Sequence, residues 1–370
     1  MIQVFRPAMG QEEIDAVADV IRSGWLGLGP RTAEFETRFA ALCGTAYAVG
    51  VNSATAALDL ALKLLGVGPG DEVIVPTITF VSTAHVVMYN QATPIFADVD
   101  PVTVNLDMAD VAQRITPRTR AIIPVHYGGR PVDLHTLAAI AQGIPIVEDC
   151  AHAAGAQYAG RPAGSFGVVG CFSFHAVKNL ACGDGGAMVM HDADFYRRAL
   201  RLRWLGIDKS TWERTELDRA YWWRYQVEEI GMKCHMNDLM ASIALVQLAK
   251  LAQANARRRA IVALYCRLLA DVPEVELPPQ DDATYQSAWH LFHIKCARRD
   301  DLSQFLAAHG IATSVHYIPL HTYGCYSDHP RLRNAEMLQD RLLTLPLYPD
   351  LTDDEVGFVC ATLRAFYGRR

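Results

Sequence analysis

The first two-thirds of the chain alternate short apolar runs with segments of helical periodicity. Gln11–Ser23 carries apolar residues at helical spacing, and Ser53 caps a second helical pattern that continues to about Leu65. Between and after such patterns the sequence predicts short buried strands: Val73–Pro76, Pro94–Val99, Ala121–Val125, Pro145–Glu148, Gly170–Phe174 and Ala187–Met190. Because parallel strands are joined by crossover helices, this alternation predicts an α/β fold with a mixed, mostly parallel sheet flanked by helices.

The pattern changes from about Met236. A long helical pattern begins there and reaches the basic run at residues 257–259. Beyond it the sequence predicts, in order, a strand, a helix and a second strand: Trp289–Ile294, Asp300–His309 and Ile311–Tyr317. We therefore expect a large domain over residues 1–245, which includes an N-terminal arm, and a smaller C-terminal α+β domain over residues 246–370.

Charge and composition argue against several classes of protein. The net charge is −6, whereas a nucleic-acid-binding domain normally carries a basic patch. The nine cysteines are scattered without ligand spacing, so we expect reduced thiols, no metal site and a cytoplasmic location. No segment has the pattern of a signal peptide or of a membrane-spanning helix, so we expect no membrane association.

The lysine with the most distinctive surroundings is Lys178. The chain has only six lysines, and this one follows the aromatic strand that contains Phe172 and Phe174 and precedes a glycine-rich turn. An amine in a partly desolvated pocket loses its proton more easily than one in water, which suits it to Schiff-base chemistry with an aldehyde cofactor. A surface lysine that simply follows a strand is the alternative interpretation.

Other polar residues follow neighbouring strands, where open α/β sheets bind ligands. The small residues Ser53, Ala54 and Thr55 precede or begin a helix, and a helix N-terminus favours a phosphate. Ser53 could equally be a simple N-cap. Asp149 ends a buried strand, where its carboxylate could hold a heterocyclic nitrogen in the protonated form, or bind a ribose in a dinucleotide fold. No earlier strand is followed by the GxGxxG motif that the second interpretation needs.

Three further residues complete a possible cofactor site. Ser173 lies at the end of the strand before Lys178, His152 follows Asp149, and Phe80 follows the strand at 73–76. Phe80 could stack on a flat ring, although His152 and Phe80 could also be core residues. A phosphate cradle, an acid for a pyridine nitrogen, an aromatic cover and a Schiff-base lysine together indicate a pyridoxal 5'-phosphate (PLP) site.

Ordered motifs along the whole chain resemble those of one family, the DegT/DnrJ/EryC1/StrS sugar aminotransferases, which have the aspartate-aminotransferase-like fold (PLP fold type I). The matching segments are Gly24–Leu26, Gly29–Pro30, Gly70–Pro76, Phe96–Asp100, Ile123–His126, Glu148–Asp149, the Lys178 segment, Gly231–Asp238, His316–His321 and Leu345–Pro349.

This resemblance implies a role for each candidate residue. Lys178 would form the Schiff base with the cofactor, and Asp149 would pair with its pyridine nitrogen. The remaining cofactor contacts would come from Ser53, Ala54, Thr55, Phe80, His152, Ser173 and Lys233. Members of the family work as homodimers, with the segment around Lys233 entering the partner's active site. We expect the substrate to contact Trp25, His235, His316, Tyr317 and His321.

Three positions depart from the family pattern. Ala54 replaces the usual glycine of the phosphate turn, which is tolerable only if its φ need not be positive. Asp184 replaces a common glutamate, which is a minor change. His235, in Lys233-Cys234-His235-Met236, is unusual in the cross-subunit segment and leaves its contact with phosphate or substrate open.

The resemblance implies transfer of an amino group from L-glutamate to a nucleotide-linked keto-sugar. The segment 206–225 is similar to that of members that aminate C4 of 4-keto-6-deoxy sugars, and its aromatic residues could line the site: Trp212, Tyr221, Trp222 and Trp223. A 3-keto sugar or a cyclitol ketone is an alternative substrate. A sugar dehydratase would have histidine at the position of Lys178, and a non-catalytic cofactor-binding regulator is the remaining alternative.

Overall fold

The computed structural model describes residues 1–209, 224–326 and 330–369. Its strands are β1 Tyr47–Val51, β2 Glu72–Pro76, β3 Thr93–Ala97, β4 Thr119–Ile122, β5 Val147–Asp149, β6 Gln157–Tyr158, β7 Arg161–Pro162, β8 Val169–Ser173, β9 Gly186–Met190, β10 Val275–Glu276, β11 Tyr285–Gln286, β12 Phe292–Cys296 and β13 Leu342–Leu345. Its α-helices are α1 Gln11–Ser23, α2 Pro30–Cys43, α3 Ala54–Leu64, α4 Ser82–Tyr89, α5 Met108–Arg114, α6 Leu134–Ala141, α7 Ala193–Leu202, α8 Asp238–Leu269, α9 Arg299–Ala308, α10 Arg333–Gln339 and α11 Asp353–Phe366.

The central sheet has the strand order β1-β9-β8-β5 on one side and β4-β2-β3 on the other. Parallel bridges from Ile122 to Ile146 and from Val125 to Asp149 join the two parts. Strand β9 is antiparallel to both β1 and β8, and the remaining pairs are parallel. The α/β class and the mostly parallel sheet expected from the sequence are therefore confirmed, and the carboxyl ends of β1, β2, β5 and β8 lie at one edge.

Burial explains why the strands of this sheet are nearly continuous apolar runs. Every residue of β2 and β9 is buried, because helices cover both faces of the sheet. Helix α3 is also buried on most of its surface, from Ala54 to Leu64. The apolar core thus holds the strand ends, and the polar residues that follow them, in fixed positions.

A buried carboxylate fixes the start of helix α2. Gly29 precedes this helix and has no side chain with which to cap it. Asp238 supplies the cap instead, because its oxygens accept hydrogen bonds from the backbone N–H groups of Arg31 at 3.1 Å and Thr32 at 2.9 Å. Asp238 is also the first residue of α8. The contact therefore joins the long helix to the N-terminal part of the chain.

The C-terminal part contains a small antiparallel sheet with the strand order β10-β12-β13, which packs with helices α9 and α11. The predicted helix at 300–309 and a strand near 289–294 are present, the latter shifted to Phe292–Cys296. Helix α8 runs without a break through residue 245, where the sequence predicts a domain boundary. That division stays a prediction.

The strand predicted at Ile311–Tyr317 is wrong. This segment forms only isolated bridges, from Ile311 to Ile2 and from Ser314 to Thr344. The segment pairs first with Ile2 and then with Thr344, so it does not follow a single strand. Its end places His316 and Tyr317 near the main sheet. In the described residues no helix is both long and apolar enough to cross a membrane.

Candidate functional site

The two acids that end β5 have different surroundings. Both oxygens of Glu148 accept backbone hydrogen bonds, from Gly164 at 2.8 Å and from Phe166 and Gly167 at 2.8 and 2.7 Å, and His126 lies 3.1 Å away. Burial alone would raise the pKa of this carboxyl, but these bonds and His126 lower it. Both oxygens of Glu148 are therefore occupied by hydrogen bonds that stabilise the fold.

Asp149, by contrast, is a buried carboxylate with capacity for a cationic partner. It accepts hydrogen bonds from the hydroxyl of Thr83 at 2.9 Å and from the backbone N–H of Ala151 at 3.0 Å. Burial raises its pKa, whereas these two bonds and the charge of Lys178 act in the opposite direction. In the described part of the chain Asp149 forms no ion pair, so a bound cation would offset the cost of its burial.

Lys178 lies close enough to Asp149 for their charges to interact. Burial of the amine lowers the pKa of Lys178 to about 8, and the negative charge of Asp149 acts against that decrease. The amine lies 3.5 Å from Nε2 of His290. A lysine with this pKa has a far larger neutral fraction near neutrality than an ordinary lysine, which favours Schiff-base formation.

A series of aromatic rings runs beside these two residues. The ring of Phe5 stacks on His290 at 5.3 Å between centroids, and His290 lies 4.5 Å from the ring of His152. His152 lies 6.1 Å from Tyr317, and Tyr317 lies 6.1 Å from Phe80. Phe80 is 56% exposed, so it is not a core residue. The series provides an aromatic cover for a flat ligand.

His152 is hydrogen-bonded on both sides of its ring. Its Nδ1 accepts from the backbone N–H of Gly128 at 3.3 Å, so Nε2 carries the proton toward the Tyr317 hydroxyl, 3.2 Å away. Burial lowers the pKa of His152 well below its ordinary value. His152 is therefore a neutral donor to Tyr317.

The residues predicted to hold a phosphate meet around Gly186. This glycine pairs with Ser173 on one side and Val51 on the other, and a Cβ placed on it would lie 2.5 Å from the carbonyl carbon of Ser53 and 2.7 Å from the nitrogen of Ala54. Glycine thus lets the start of α3 approach β8 and β9 closely. The N-terminus of α3, where the first N–H groups have no carbonyl one turn earlier in the helix, is therefore next to Ser173.

Two details of this turn agree with the sequence analysis. Ser53 is the N-cap of α3, with its hydroxyl accepting from Ala56 N–H at 3.1 Å. Ala54 begins the helix and is not among the residues with positive φ, so alanine replaces the usual glycine without backbone strain. Thr55 lies in the same first helical turn.

Two of the predicted substrate-contact residues, His321 and His316, have polar partners of their own within this chain. His321 contacts Thr77 at 2.7 Å and Glu336 at 3.6 Å, and His316 contacts Thr344 at 2.9 Å while its ring lies 5.5 Å from Phe5. Charge from Lys178 contributes, after burial, to the pKa of about 4 for His316, which therefore belongs with the Lys178 group.

The cross-subunit segment runs along the edge of β1. The backbone of His235 forms an antiparallel β-bridge with Val51, and its ring lies edge-on to the ring of Trp204 with the centroids 4.5 Å apart. Lys233 is exposed and lies 5.4 Å above the Trp204 ring. Trp25 is partly exposed and donates to the carbonyl of Leu28 at 3.1 Å. The aromatic residues predicted to line a site lie outside the described residues: Trp212, Tyr221, Trp222 and Trp223.

The sequence analysis missed two residues that contact this group. Thr83 bonds to Asp149, and His290 contacts Lys178. A hydroxyl in the first turn of the helix after β2 was a usable signal for Thr83. The first of the two histidines within the otherwise apolar run Trp289–Ile294 was a usable signal for His290.

The residues present fit PLP. Three features that such a cofactor needs are present: a buried carboxylate that forms no ion pair with any described residue, an amine with a lowered pKa, and a close approach at Gly186 that a Cβ would fill. A cluster of His126, Glu148 and Cys150 has spacing that a metal ion could use, but the hydrogen bonds of Glu148 already occupy its oxygens.

Solved structures similar to this chain share its fold along nearly its whole length. TlmJ, an aminotransferase from Streptoalloteichus hindustanus, is 38% identical with a TM-score of 0.94, and the match covers 100% of this chain and 99% of TlmJ. The sugar aminotransferase CalS13 from Micromonospora echinospora is 34% identical with a TM-score of 0.91, and the match covers 99% of this chain and 100% of CalS13. Together with the site, these similarities define a PLP-dependent aminotransferase of fold type I.

The match to a family is equally extensive. Residues 7–364 match the DegT/DnrJ/EryC1/StrS aminotransferase family. The spore coat polysaccharide biosynthesis protein SpsC of Bacillus subtilis (strain 168) is 39% identical over 376 residues, which cover 97% of this chain and 95% of SpsC. The chain belongs to the DegT/DnrJ/EryC1/StrS aminotransferase family.

Proposed function

We propose that this enzyme transfers an amino group from L-glutamate to a nucleotide-linked keto-sugar, specifically a 4-keto-6-deoxy sugar. The observation that carries the proposal is the buried pair of Lys178 and Asp149, whose charges interact in an aromatic-lined site. Two similar proteins have names that point to sugars, namely SpsC in polysaccharide biosynthesis and CalS13 as a sugar aminotransferase. The choice of a 4-keto sugar follows the resemblance of the segment 206–225.

Each residue of the pair has a separate task in this proposal. When bound, PLP supplies an aldehyde that takes up the amino group and a ring that accepts electrons. Asp149 keeps the ring nitrogen protonated, and Thr83 and Ala151 hold its carboxylate in place. Lys178, once its amine is free, takes a proton from the carbon that bears the amino group and returns it to the carbon on the other side of that nitrogen. Burial keeps the amine neutral enough to do so.

The surroundings provide the remaining contacts. Ser53, Ala54, Thr55 and Ser173 bind the cofactor's phosphate at the α3 N-terminus, which favours negative charge. His152 would lie beside the cofactor ring, and Phe80 and Tyr317, whose rings follow that of His152, would cover it from outside. The proposed substrate contacts are Trp25, His235, His316, Tyr317 and His321.

We also propose that two copies of the chain form a homodimer with shared sites. Lys233 is exposed, and within the part of the chain that the structure describes its amine lies over the ring of Trp204, which is not one of the predicted cofactor residues. A cationic side chain at an edge is suited to a phosphate or nucleotide diphosphate of the partner's site. The assembly is tested by sedimentation together with the mixed-dimer experiment described in the Discussion.

The experiment that tests the function uses purified enzyme loaded with PLP. L-Glutamate should convert its visible absorbance to that of the pyridoxamine form, and a 4-keto-6-deoxy nucleotide sugar should restore it. The panel should include 3-keto nucleotide sugars and an inosose, because turnover of these alone would replace the proposed substrate. Turnover with elimination of water would indicate a dehydratase, and no turnover with any of them would indicate a regulator.

Borohydride reduction of the loaded enzyme identifies the lysine. Peptide mapping should then place the pyridoxyl group on Lys178. A label on any of the other five lysines would contradict the assignment of Lys178, whatever the substrate panel shows.

A further inference from the structure

His290 is a buried residue whose hydrogen bonds fix its tautomer. It is 2% exposed, and its backbone N–H donates to Gly128 at 2.8 Å. A Cβ at Gly129 would lie 3.0 Å from the nitrogen of His290, so glycine is needed for this close approach, and Gly129 also has a φ of +97°. The backbone of His290 is therefore held rigidly beside the turn at 128–129.

Two asparagine side chains connect this ring to helix α8. Asn255 Nδ2 donates to the carbonyl of Ala154 at 2.9 Å, and Asn179 Nδ2 donates to the carbonyl of Ala288 at 2.6 Å. Because a carbonyl oxygen only accepts, each contact fixes which end of the amide is the nitrogen. The same Nδ2 of Asn179 also donates to Asn255 Oδ1 at 2.9 Å. The oxygen of Asn179 must therefore face His290.

This orientation determines where the imidazole proton lies. Asn179 Oδ1 is 3.2 Å from His290 Nδ1 and can only accept, so Nδ1 carries the proton. Nε2 then has a free lone pair, and it is directed at Nζ of Lys178, 3.5 Å away. Burial, followed by the charge of Lys178, lowers the pKa of His290 well below its ordinary value, so the ring stays neutral.

We propose that His290 is a positioning residue for the free amine of Lys178. The amine donates one N–H to His290 Nε2, and this bond directs the lone pair of the amine toward the cofactor and the reacting carbon. The proton that Lys178 accepts and returns never passes to His290. This inference rests on the proposed role of Lys178, and it extends that role to a residue that lies 112 positions away in the sequence. Without the contact, the flexible lysine side chain would sample many orientations.

Two substitutions of His290 distinguish positioning from simple packing. His290→Asn retains a donor where Nδ1 lies and so can keep the bond to Asn179, but it removes the acceptor for Lys178. His290→Gln places an amide oxygen where Nε2 lies and so retains that acceptor. If His290 positions the amine, the Asn variant should be impaired more than the Gln variant. A purely structural role predicts the reverse order.

The first readout does not depend on turnover. Cofactor-free protein is mixed with PLP, samples are reduced with borohydride over time, and labelling of Lys178 is measured by peptide mass. We expect about tenfold to a hundredfold slower labelling for His290→Asn and a smaller decrease for His290→Gln. Wild-type labelling by the Asn variant would overturn the proposal. If Lys178 of the wild-type protein is not labelled at all, the proposed function fails instead.

The second readout is the kinetic isotope effect with α-deuterated glutamate. A displaced amine slows proton transfer, so the effect on kcat should increase in His290→Asn while KM changes little. An unchanged isotope effect combined with a wild-type rate would contradict positioning. Thermal melting shows which variants are folded.

Asn179→Ala keeps the test decisive if neither His290 variant folds. It keeps the side chains of Lys178 and His290 but removes the acceptor that fixes the His290 ring, together with the bonds of Asn179 to Ala288 and Asn255. We expect slower labelling of Lys178 when the ring is freed. For the wild-type chain, imidazole nitrogen NMR provides a direct check. The His290 signals, assigned through the couplings of the ring to its own backbone, should show a proton on Nδ1. A proton on Nε2 would overturn the proposal.

Discussion

The hydroxyl of Thr83 donates a hydrogen bond to Asp149 Oδ2 over 2.9 Å, although the two residues are separated by 66 positions. Thr83 lies in helix α4 and Asp149 ends strand β5, so the bond links two elements at the carboxyl edge of the sheet. The bond favours the ionised carboxylate against the effect of burial. Thr83 therefore belongs to the structure that tunes Asp149.

Thr83→Val should weaken the interaction between the Asp149 carboxylate and the protonated nitrogen of the cofactor ring. A hydrogen bond to a charged group is worth about 1.5–3 kcal/mol, so we expect cofactor affinity to decrease about tenfold or more. The change is measured by fluorescence titration of cofactor-free protein with PLP. Thr83→Ser retains the hydroxyl and serves as the matched control. Equal affinities for the Val and Ser variants would show that the hydroxyl does not matter.

Asp149→Asn should reduce catalysis far more than cofactor binding. The variant loses the negative charge that keeps the ring nitrogen protonated, and its single amide oxygen can accept from only one of the two donors, Thr83 and Ala151, which bond to different oxygens of Asp149. One lost preorganised group costs about 2–4 kcal/mol of transition-state stabilisation. Single-turnover reaction with glutamate measures the loss. A near-normal kcat would mean that Asp149 does not have the proposed role.

The reactivity of Lys178 should depend on pH as its pKa of about 8 requires. Only the neutral amine attacks an aldehyde, so labelling of cofactor-free protein by PLP and borohydride should increase from about pH 6 and level off above about pH 9. Because Asp149 acts to raise this pKa, the midpoint should move to lower pH in Asp149→Asn. A midpoint near 10.5, the value for an ordinary lysine, would refute burial of the amine.

Gly186→Ala should disturb the phosphate turn. The added Cβ would lie 2.5 Å from the backbone of Ser53, so the start of α3 must move away from Ser173. Overpacking of this kind costs about 1–3 kcal/mol of stability, and cofactor affinity should decrease as well. Thermal melting with and without PLP measures both effects. Gly68→Ala, which meets no atom within 4 Å, is the control and should melt like the wild type.

Mixed dimers should test whether the site is shared. Lys178→Ala and Lys233→Ala chains should each be inactive alone, while a heterodimer has one site with both residues intact. We expect partial recovery of activity after the two are mixed and re-associated, measured against each parent under the same treatment. Verified heterodimers without recovery, formed from folded parents, would exclude a contribution of Lys233 to the partner's site.

Local sequence patterns determined much of this protein. Short continuous apolar runs predicted the strands of the main sheet, and a periodicity of 3.6 in the apolar residues predicted the helices around it, since burial is a local requirement. Polar residues after the strands pointed to Lys178, Asp149 and the turn at Ser53, because parallel strands end at one edge. The strand predicted at Ile311–Tyr317 failed since a strand also needs a continuous partner, which a local pattern cannot supply.

Only the tertiary structure decided which side chains meet. The sequence presents Glu148 and Asp149 as a pair of acids, but packing encloses Glu148 in backbone N–H groups and leaves Asp149 without an ion pair in the described residues. His290 reaches Lys178 only because the turn at 128–129 holds it there. Such contacts depend on how distant segments pack, and hydrogen-bond direction and burial are properties of that packing rather than of any segment alone.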